Sequence, residues 1–228
     1  LIFFLAARTN IAGTWAWTLL HLVRNLEAMA SFENEIAQNA PDQHGIYPLK
    51  GMPFAEACLR ETGRLYTNLL TARYVTREMC GPDGIIIPKG WAVASPMAVH
   101  RDPDLYDSPD RWDPLRFLPG ADGTPSNYST LLRNVEYHQF GVGNHACPGE
   151  RLSRSLLQGT LWPSLLDNYQ LEVVSGVKDG EGMDGVGVKP DWGKNLGTPY
   201  AGEHEVFIKV TKRAVRLSDA PHSATIRA

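Results

Sequence analysis

The stretch Phe140-Gly141-Val142-Gly143-Asn144-His145-Ala146-Cys147-Pro148-Gly149-Glu150-Arg151 decides how the rest of the chain is read. Gly141 and Gly143 let the backbone turn tightly and approach its neighbours closely. Pro148 suits the first position of a helix, so the sequence predicts that a helix opens there, with Cys147 at its N-terminus. The free amides and the dipole of a helix start stabilise a thiolate. A thiolate so placed is a nucleophile or a metal ligand. No Ser, Thr or His base in local motif context points to acyl transfer, and a distant histidine stays open as a partner. Zinc requires three further sulfur or imidazole ligands. Only His138 and His145 are near, at a spacing that fits no common zinc site.

Composition narrows the rest. The chain has 228 residues, 43% hydrophobic and 21% charged, which is enough to bury a core without disulfide or metal staples. A formal net charge of -3 offers no polyanion-binding surface, so no nucleic-acid partner is expected. The cysteines, Cys58, Cys80 and Cys147, are odd in number and widely spaced, which implies no disulfide framework. Cys58 and Cys80 are expected to be buried apolar fillers.

Along the chain, residues 1–23 read as one helix, opening on an uncapped apolar run as though inside a longer helix. Arg8 and Asn10 near its middle make a membrane span costly, so a core helix is expected. Asn25 suits the cap of a second helix over 26–37, and Pro53 the first turn of a third over 53–65. Tyr74-Val75, Ile85-Ile86-Ile87 and Trp91-Ala92-Val93 read as short strands between Gly- and Pro-rich turns. Residues 100–146 are too long and irregular for a casual connection and are expected to be ordered. A fourth helix is predicted over 148–166, and a strand over Glu205–Val210. The tail from residue 213 is expected to be loose.

On the third helix Phe54, Cys58 and Leu65 share a stripe with Glu61. A carboxylate on the core side must be paired to stay ionised. Arg64 lies three residues on, where helix side chains meet; a surface ion pair is the plainer alternative. Arg116, pinned among aromatic and Pro residues in Trp112-Asp113-Pro114-Leu115-Arg116-Phe117, offers five donors that can reach the same carboxylate.

Taken together, Phe140-x-x-Gly143-x-His145-x-Cys147-x-Gly149 resembles the haem-ligand loop of the cytochrome P450 family. Glu61-x-x-Arg64 and Pro114-x-Arg116-Phe117 stand upstream in the family's order, and Met52–Leu65 and Val99–Pro103 also look like that family. Haem iron needs a single protein ligand at this position and accepts thiolate. The resemblance implies a mainly α fold with small β-sheets: the C-terminal portion of the P450 fold over 1–212, without its N-terminal half, and a loose tail over 213–228. It implies haem b (iron protoporphyrin IX), with Cys147 as the axial iron ligand and Phe140, Gly143 and Gly149 shaping the loop. His145, in place of the family's more usual Arg, and Arg73 would pair with the haem propionates. Glu61, Arg64 and Arg116 would form a buried triad bracing the Cys loop.

The family's long central helix carries small-small-x-acid-Thr over the haem. Here the best register is Ala6-Ala7-Arg8-Thr9-Asn10, with Thr9 at the acid position and Asn10 at the alcohol position. Asn10 in that place resembles a subgroup containing sterol 7α- and 12α-hydroxylases and prostacyclin synthase. The activity implied is monooxygenation of a lipophilic small molecule with O2 and electrons from NADPH through a reductase. The alternatives are a haem-thiolate isomerase or dehydratase needing no external electrons, and a non-catalytic truncated fragment. Leu5, Leu69, Leu70, Thr71 and Val186 are expected as substrate contacts beside Thr9 and Asn10. Arg133, Arg151 and Arg154 could dock an acidic redox partner; a solvated surface is the plainer alternative. The sequon at Asn127 is expected to be unmodified on a cytosolic face, with the protein at the endoplasmic reticulum membrane through an anchor upstream of residue 1.

Overall fold

The computed structural model describes residues 2–67, 71–95, 97–120, 124, 126, 137–178, 186–193, 198–201 and 205–219. Helix α1 (Ile2–Arg24) ends where Asn25 turns the chain and caps α2 (Leu26–Ala37), its Oδ1 accepting from Ala28 N at 3.0 Å. Helix α3 (Pro53–Tyr66) begins on its proline as expected. Its amphipathic stripe packs Phe54, Cys58, Leu59 and Leu65 against Trp17 and Leu22 of α1 and Phe32 and Ile36 of α2. Cys58 is the buried filler that the sequence suggested, and burial pushes its thiol well up.

The α3 start has no side-chain cap of its own. The cap comes instead from α2, where the buried Glu35 carboxylate accepts from Phe54 N at 2.6 Å and Ala55 N at 2.9 Å. These are two of the orphan amides that open a helix.

Four two-stranded antiparallel sheets complete the described architecture. Strands β1 (Thr71–Tyr74) and β4 (Ala92–Ser95) pair with Arg73 opposite Val93, and enclose the small hairpin β2 (Met79–Cys80) and β3 (Ile86–Ile87). Cys80 is exposed on that hairpin and is not a core residue, because a two-residue strand has no covered face to bury it in.

The fourth helical segment differs from expectation at both ends. Pro148 and Gly149 form a turn, with Glu150 N donating to Cys147 O at 3.3 Å, so α4 runs from Glu150 to Leu156. A π turn at Leu157–Leu161 leads into α5 (Trp162–Asn168). The Gly159 carbonyl of that turn accepts from Tyr47 N at 2.8 Å, so the wider turn hands an acceptor to the loop beside it. Strand β5 (Tyr169–Ser175) follows directly and pairs with β8 (Phe207–Lys212), two residues later than the predicted strand. Gly176 allows the crossing between them: its φ is +88°, and a Cβ there would lie 1.8 Å from Glu205 O. Strands β6 (Pro190–Asp191) and β7 (Tyr200–Ala201) form the fourth pair.

Residues 213–219 are docked, where a loose tail was expected. Arg213 donates to Leu166 O and pairs with Glu33. Ser218 donates twice to Asp167, a buried carboxylate that also accepts from the Tyr47 hydroxyl at 2.7 Å. A buried acid with three donors holds Ser218 in place. Residues 220–228 lie outside the described residues. Among the described residues no helix is long and apolar enough to cross a membrane.

The Glu35 cap predicts a measurable pH effect. Burial outweighs the two amide bonds and raises the Glu35 carboxyl to about 7. Its folded-state pKa thus exceeds its unfolded value, so its contribution is full below the unfolded value of 4.5 and is lost as pH rises through about 7. Glu35→Gln is expected to flatten the fall of the unfolding midpoint across that window. Glu35→Ala is expected to cost about 1–2 kcal/mol in urea unfolding, as for other lost N-caps.

Candidate functional site

The Cys147 loop is a closed turn. Cys147 N donates to Phe140 O at 2.7 Å, Gly141 N to His138 O at 2.8 Å, and Ala146 N to Gly143 O at 3.1 Å. Gly141, at φ +73°, is required here, since a Cβ would stand 3.1 Å from His145 O. These bonds turn Cys147 outward, and its thiol is exposed and free. A Cβ at Gly149 would lie 3.6 Å from the sulfur, so any larger residue there would begin to cover it. His145 is exposed on the short turn Gly143–His145. Phe140 is half-buried, with the Arg154 guanidinium 5.8 Å over its ring.

Behind this loop lies a buried ion cluster. Glu61 and Arg64 are fully buried, and Arg64 grips the carboxylate with two bonds, Nε to Oε2 and Nη2 to Oε1, both 2.8 Å. Arg116 Nε reaches Oε1 at 3.0 Å, and Asp113 N at 2.9 Å. The cluster's remaining donors go to backbone carbonyls. Arg64 donates to those of His100 (2.7 Å), Pro109 (2.6 Å) and Arg111 (3.0 Å), and Arg116 to that of Asp107 (3.1 Å). The triad therefore pins the irregular segment 100–116 and makes none of these bonds to the Cys loop itself.

Contact between α3 and the Cys loop runs through other groups. The Tyr137 hydroxyl lies 2.9 Å from Arg60 O and 2.8 Å from Gln139 Oε1. Gln139 lies so close to α3 that a Cβ on Gly63 would stand 2.0 Å from its Cδ. Arg154 of α4 pairs with Glu56 of α3 at 2.9 Å and with Glu150 at 3.0 Å. Arg154 is thus engaged within the fold; Arg151 is exposed. Glu35, Gly63, Tyr137 and His100 were not singled out from sequence. Gly63 in a helix interior was the one visible signal among them.

The remaining expected residues are dispersed. Arg73 is exposed on β1 and donates to its neighbour's carbonyl, Ala72 O, at 2.9 Å. Thr9 and Asn10 are half-buried on α1. On another face of α1, Ala7, Arg8, Ile11, Ala12 and Trp15 line an open, mainly apolar groove of about 440 Å³ with Leu156 and Leu161; Thr9 and Asn10 are not part of its lining. Val186 is buried in the core and faces a cleft with His21, Arg24 and Trp112, eleven or more residues along α1 from Asn10. That is about 16 Å on a helix, so packing explains Val186 and a shared wall with Asn10 does not. Leu69, Leu70 and the side chains of Leu5 and Thr71 lie outside the described residues, as do Asn127 and Arg133.

Among the described residues no three His, Cys, Asp or Glu side chains gather as a metal-ligand set. An exposed thiol on a pinned turn suits a group that takes one protein ligand, and zinc does not fit. The family model described as Cytochrome P450 matches residues 1–192, and the chain belongs to the cytochrome P450 family. It is 32% identical to a cytochrome P450 monooxygenase of Aspergillus violaceofuscus over 168 residues, which is 73% of this chain and 32% of that relative. A cytochrome P450 monooxygenase of Aspergillus niger is 32% identical over 156 residues, 65% of this chain and 31% of its own. A 2-hydroxyisoflavanone synthase of Glycine max is 27% identical over 176 residues, 75% of this chain and 34% of its own. The chain thus spans about a third of the length of the curated relatives it matches. Family membership implies haem as the resident group. The likeness of Asn10 to the sterol hydroxylase and prostacyclin synthase subgroup gains no support from these relatives.

Glu61→Gln keeps the shape of the cluster and removes the carboxylate that both buried guanidinium groups bind. The expected cost in urea unfolding is about 3–5 kcal/mol, the usual penalty for breaking a buried pair. Arg64→Lys is expected to fail as well, because an ammonium cannot supply the forked pair of bonds.

Proposed function

We propose that this chain carries the thiolate-bearing part of a haem-thiolate monooxygenase. The reaction places one atom of O2 in a C–H bond of a lipophilic small molecule and reduces the other to water. The two electrons come from NADPH through a redox partner. The observation that carries this reading is the exposed Cys147 thiol on a loop closed by the Cys147–Phe140 backbone bond.

The donor set fits haem. Cys147 would be the axial ligand, and thiolate ligation supplies the electron push that favours O–O cleavage. His145 and Arg73 present exposed polar groups suited to the propionates. Phe140 would shield the thiolate side of the loop. Thr9 and Asn10, half-buried on α1, would orient water or a substrate oxygen where the family more often has an acid and an alcohol. Glu61, Arg64 and Arg116 hold the segment against which the loop rests. By family likeness the protein would work at the cytosolic face of the endoplasmic reticulum.

A haem-thiolate isomerase or dehydratase remains the second reading, favoured by one observation: Thr9 stands at the acid position. Consumption of NADPH and O2 during turnover separates the two.

The reduced, CO-bound protein is expected to show the strongly red-shifted band of thiolate ligation. Cys147→Ser should abolish that band. Its persistence in the variant would refute the assignment of the ligand. Arg73→Ala and His145→Ala are expected to weaken haem retention and leave the band position unchanged.

A further inference from the structure

His100 stands between the buried cluster and the Cys loop, and three of its groups are engaged at once. Its carbonyl accepts from Arg64 Nη1 at 2.7 Å. Its ring nitrogen Nε2 lies 3.1 Å from His138 N. Its ring stacks on Tyr137, with centroids 5.4 Å apart and planes 28° from parallel. The side chain is completely buried.

The His138 contact fixes the chemistry. A backbone N–H can only donate, so Nε2 must accept, and the neutral ring must carry its proton on Nδ1. Burial, with His138 beside it, pulls the His100 pKa down to about 3, so the ring stays neutral. Two residues after His138 comes Phe140, whose carbonyl closes the Cys147 turn, and the His138 carbonyl itself accepts from Gly141 N. One hydrogen bond and a short stretch of main chain therefore join the imidazole to two of the three bonds that shape the loop.

We propose that His100 is a positioning residue that couples the Glu61–Arg64–Arg116 cluster to the Cys147 loop, holding His138 through its Nε2 acceptor. The main chain of His100 takes its position from Arg64, and its ring passes that position to residues 138–147. The proposal rests on the haem-thiolate reading of Cys147 only for its effect on the cofactor. A residue that merely filled space would be replaceable by any ring of similar size, and this separates the two roles.

The test uses the haem-loaded protein and two replacements of known chemistry. His100→Phe fills the space and removes the acceptor; His100→Gln returns an acceptor oxygen close to the position of Nε2. In His100→Phe, amide hydrogen exchange at His138 and across the Cys147 turn is expected to quicken at least about fivefold, the effect of one lost hydrogen bond. Exchange within α3 should be unchanged. The ratio of red-shifted to unshifted CO-bound band should fall in the same variant, and His100→Gln should restore both readouts. Equal exchange and an equal band ratio in His100→Phe and the wild type would overturn the proposal. So would failure of Gln where Phe is impaired. Should Phe at this site prevent folding, nitrogen-15 NMR of the wild-type ring decides: an Nδ1–H tautomer supports the proposal and an Nε2–H tautomer overturns it. Because exchange and tautomer are read without reference to the iron, they still decide the role of His100 if wild-type protein lacks the thiolate band.

Discussion

A carboxylate taken wholly out of water is destabilising by several kcal/mol unless charge and hydrogen bonds surround it. Glu61 meets that condition through Arg64, Arg116 and the Asp113 amide. The consequence reaches well beyond the pair. Two guanidinium groups brought inside for one carboxylate carry more donors than it can accept, and the surplus goes to backbone carbonyls at residues 100, 107, 109 and 111. A segment with almost no regular structure is fixed because its carbonyls complete the solvation of buried arginines. Order in the loop and charge in the core are thus one arrangement, and neither is stable without the other.

Among the described residues no hydrogen bond runs from that arrangement to the sulfur. The link passes through groups with no charge: the His100 ring, the Tyr137 hydroxyl, and Gln139 laid against the bare backbone of Gly63. Neutral contacts at this point make physical sense. A full positive charge beside the loop would bias the thiol electrostatically, whereas a neutral imidazole and a phenol hold the main chain and leave the charge at the sulfur to its ligand. The charged contact that does reach the loop's flank, Arg154 over Phe140, is itself held by Glu56 and Glu150.

What could be read from sequence follows from the range of each interaction. The Asn25 cap and the Pro53 start depend on residues within one turn, and both were legible. Glu61 and Arg64 are one helical turn apart and also belong to a recognisable family pattern with Arg116. Strand β5 was missed because its sequence signal is joined directly to a helix, and its partner lies about 37 residues on, as Glu172 and Lys209 show. The trans cap from Glu35 crosses 19 residues to another helix, and nothing around Phe54 announces it. The docked segment 213–219 depends on Asp167, whose three donors come from residues distant in sequence. The Cys80 expectation failed for the converse reason: a general preference for burial was applied to a strand too short to have an inner face.

The same division accounts for where the chain is firm and where it is open. The described bonds that place Cys147 are main-chain bonds of its own turn, which Gly141 allows to close, and Gly149 keeps a side chain off the sulfur. Had the loop been held from the front, by a side chain over the thiol, the same rigidity would have blocked access. A ligand atom that must be both fixed and reachable is better placed by main-chain bonds on one face and glycine on the other. The spacing Gly141, Cys147, Gly149 therefore carries a physical requirement of its own. It would apply to any single-thiolate site built on a turn, whatever the substrate on the opposite side of the cofactor.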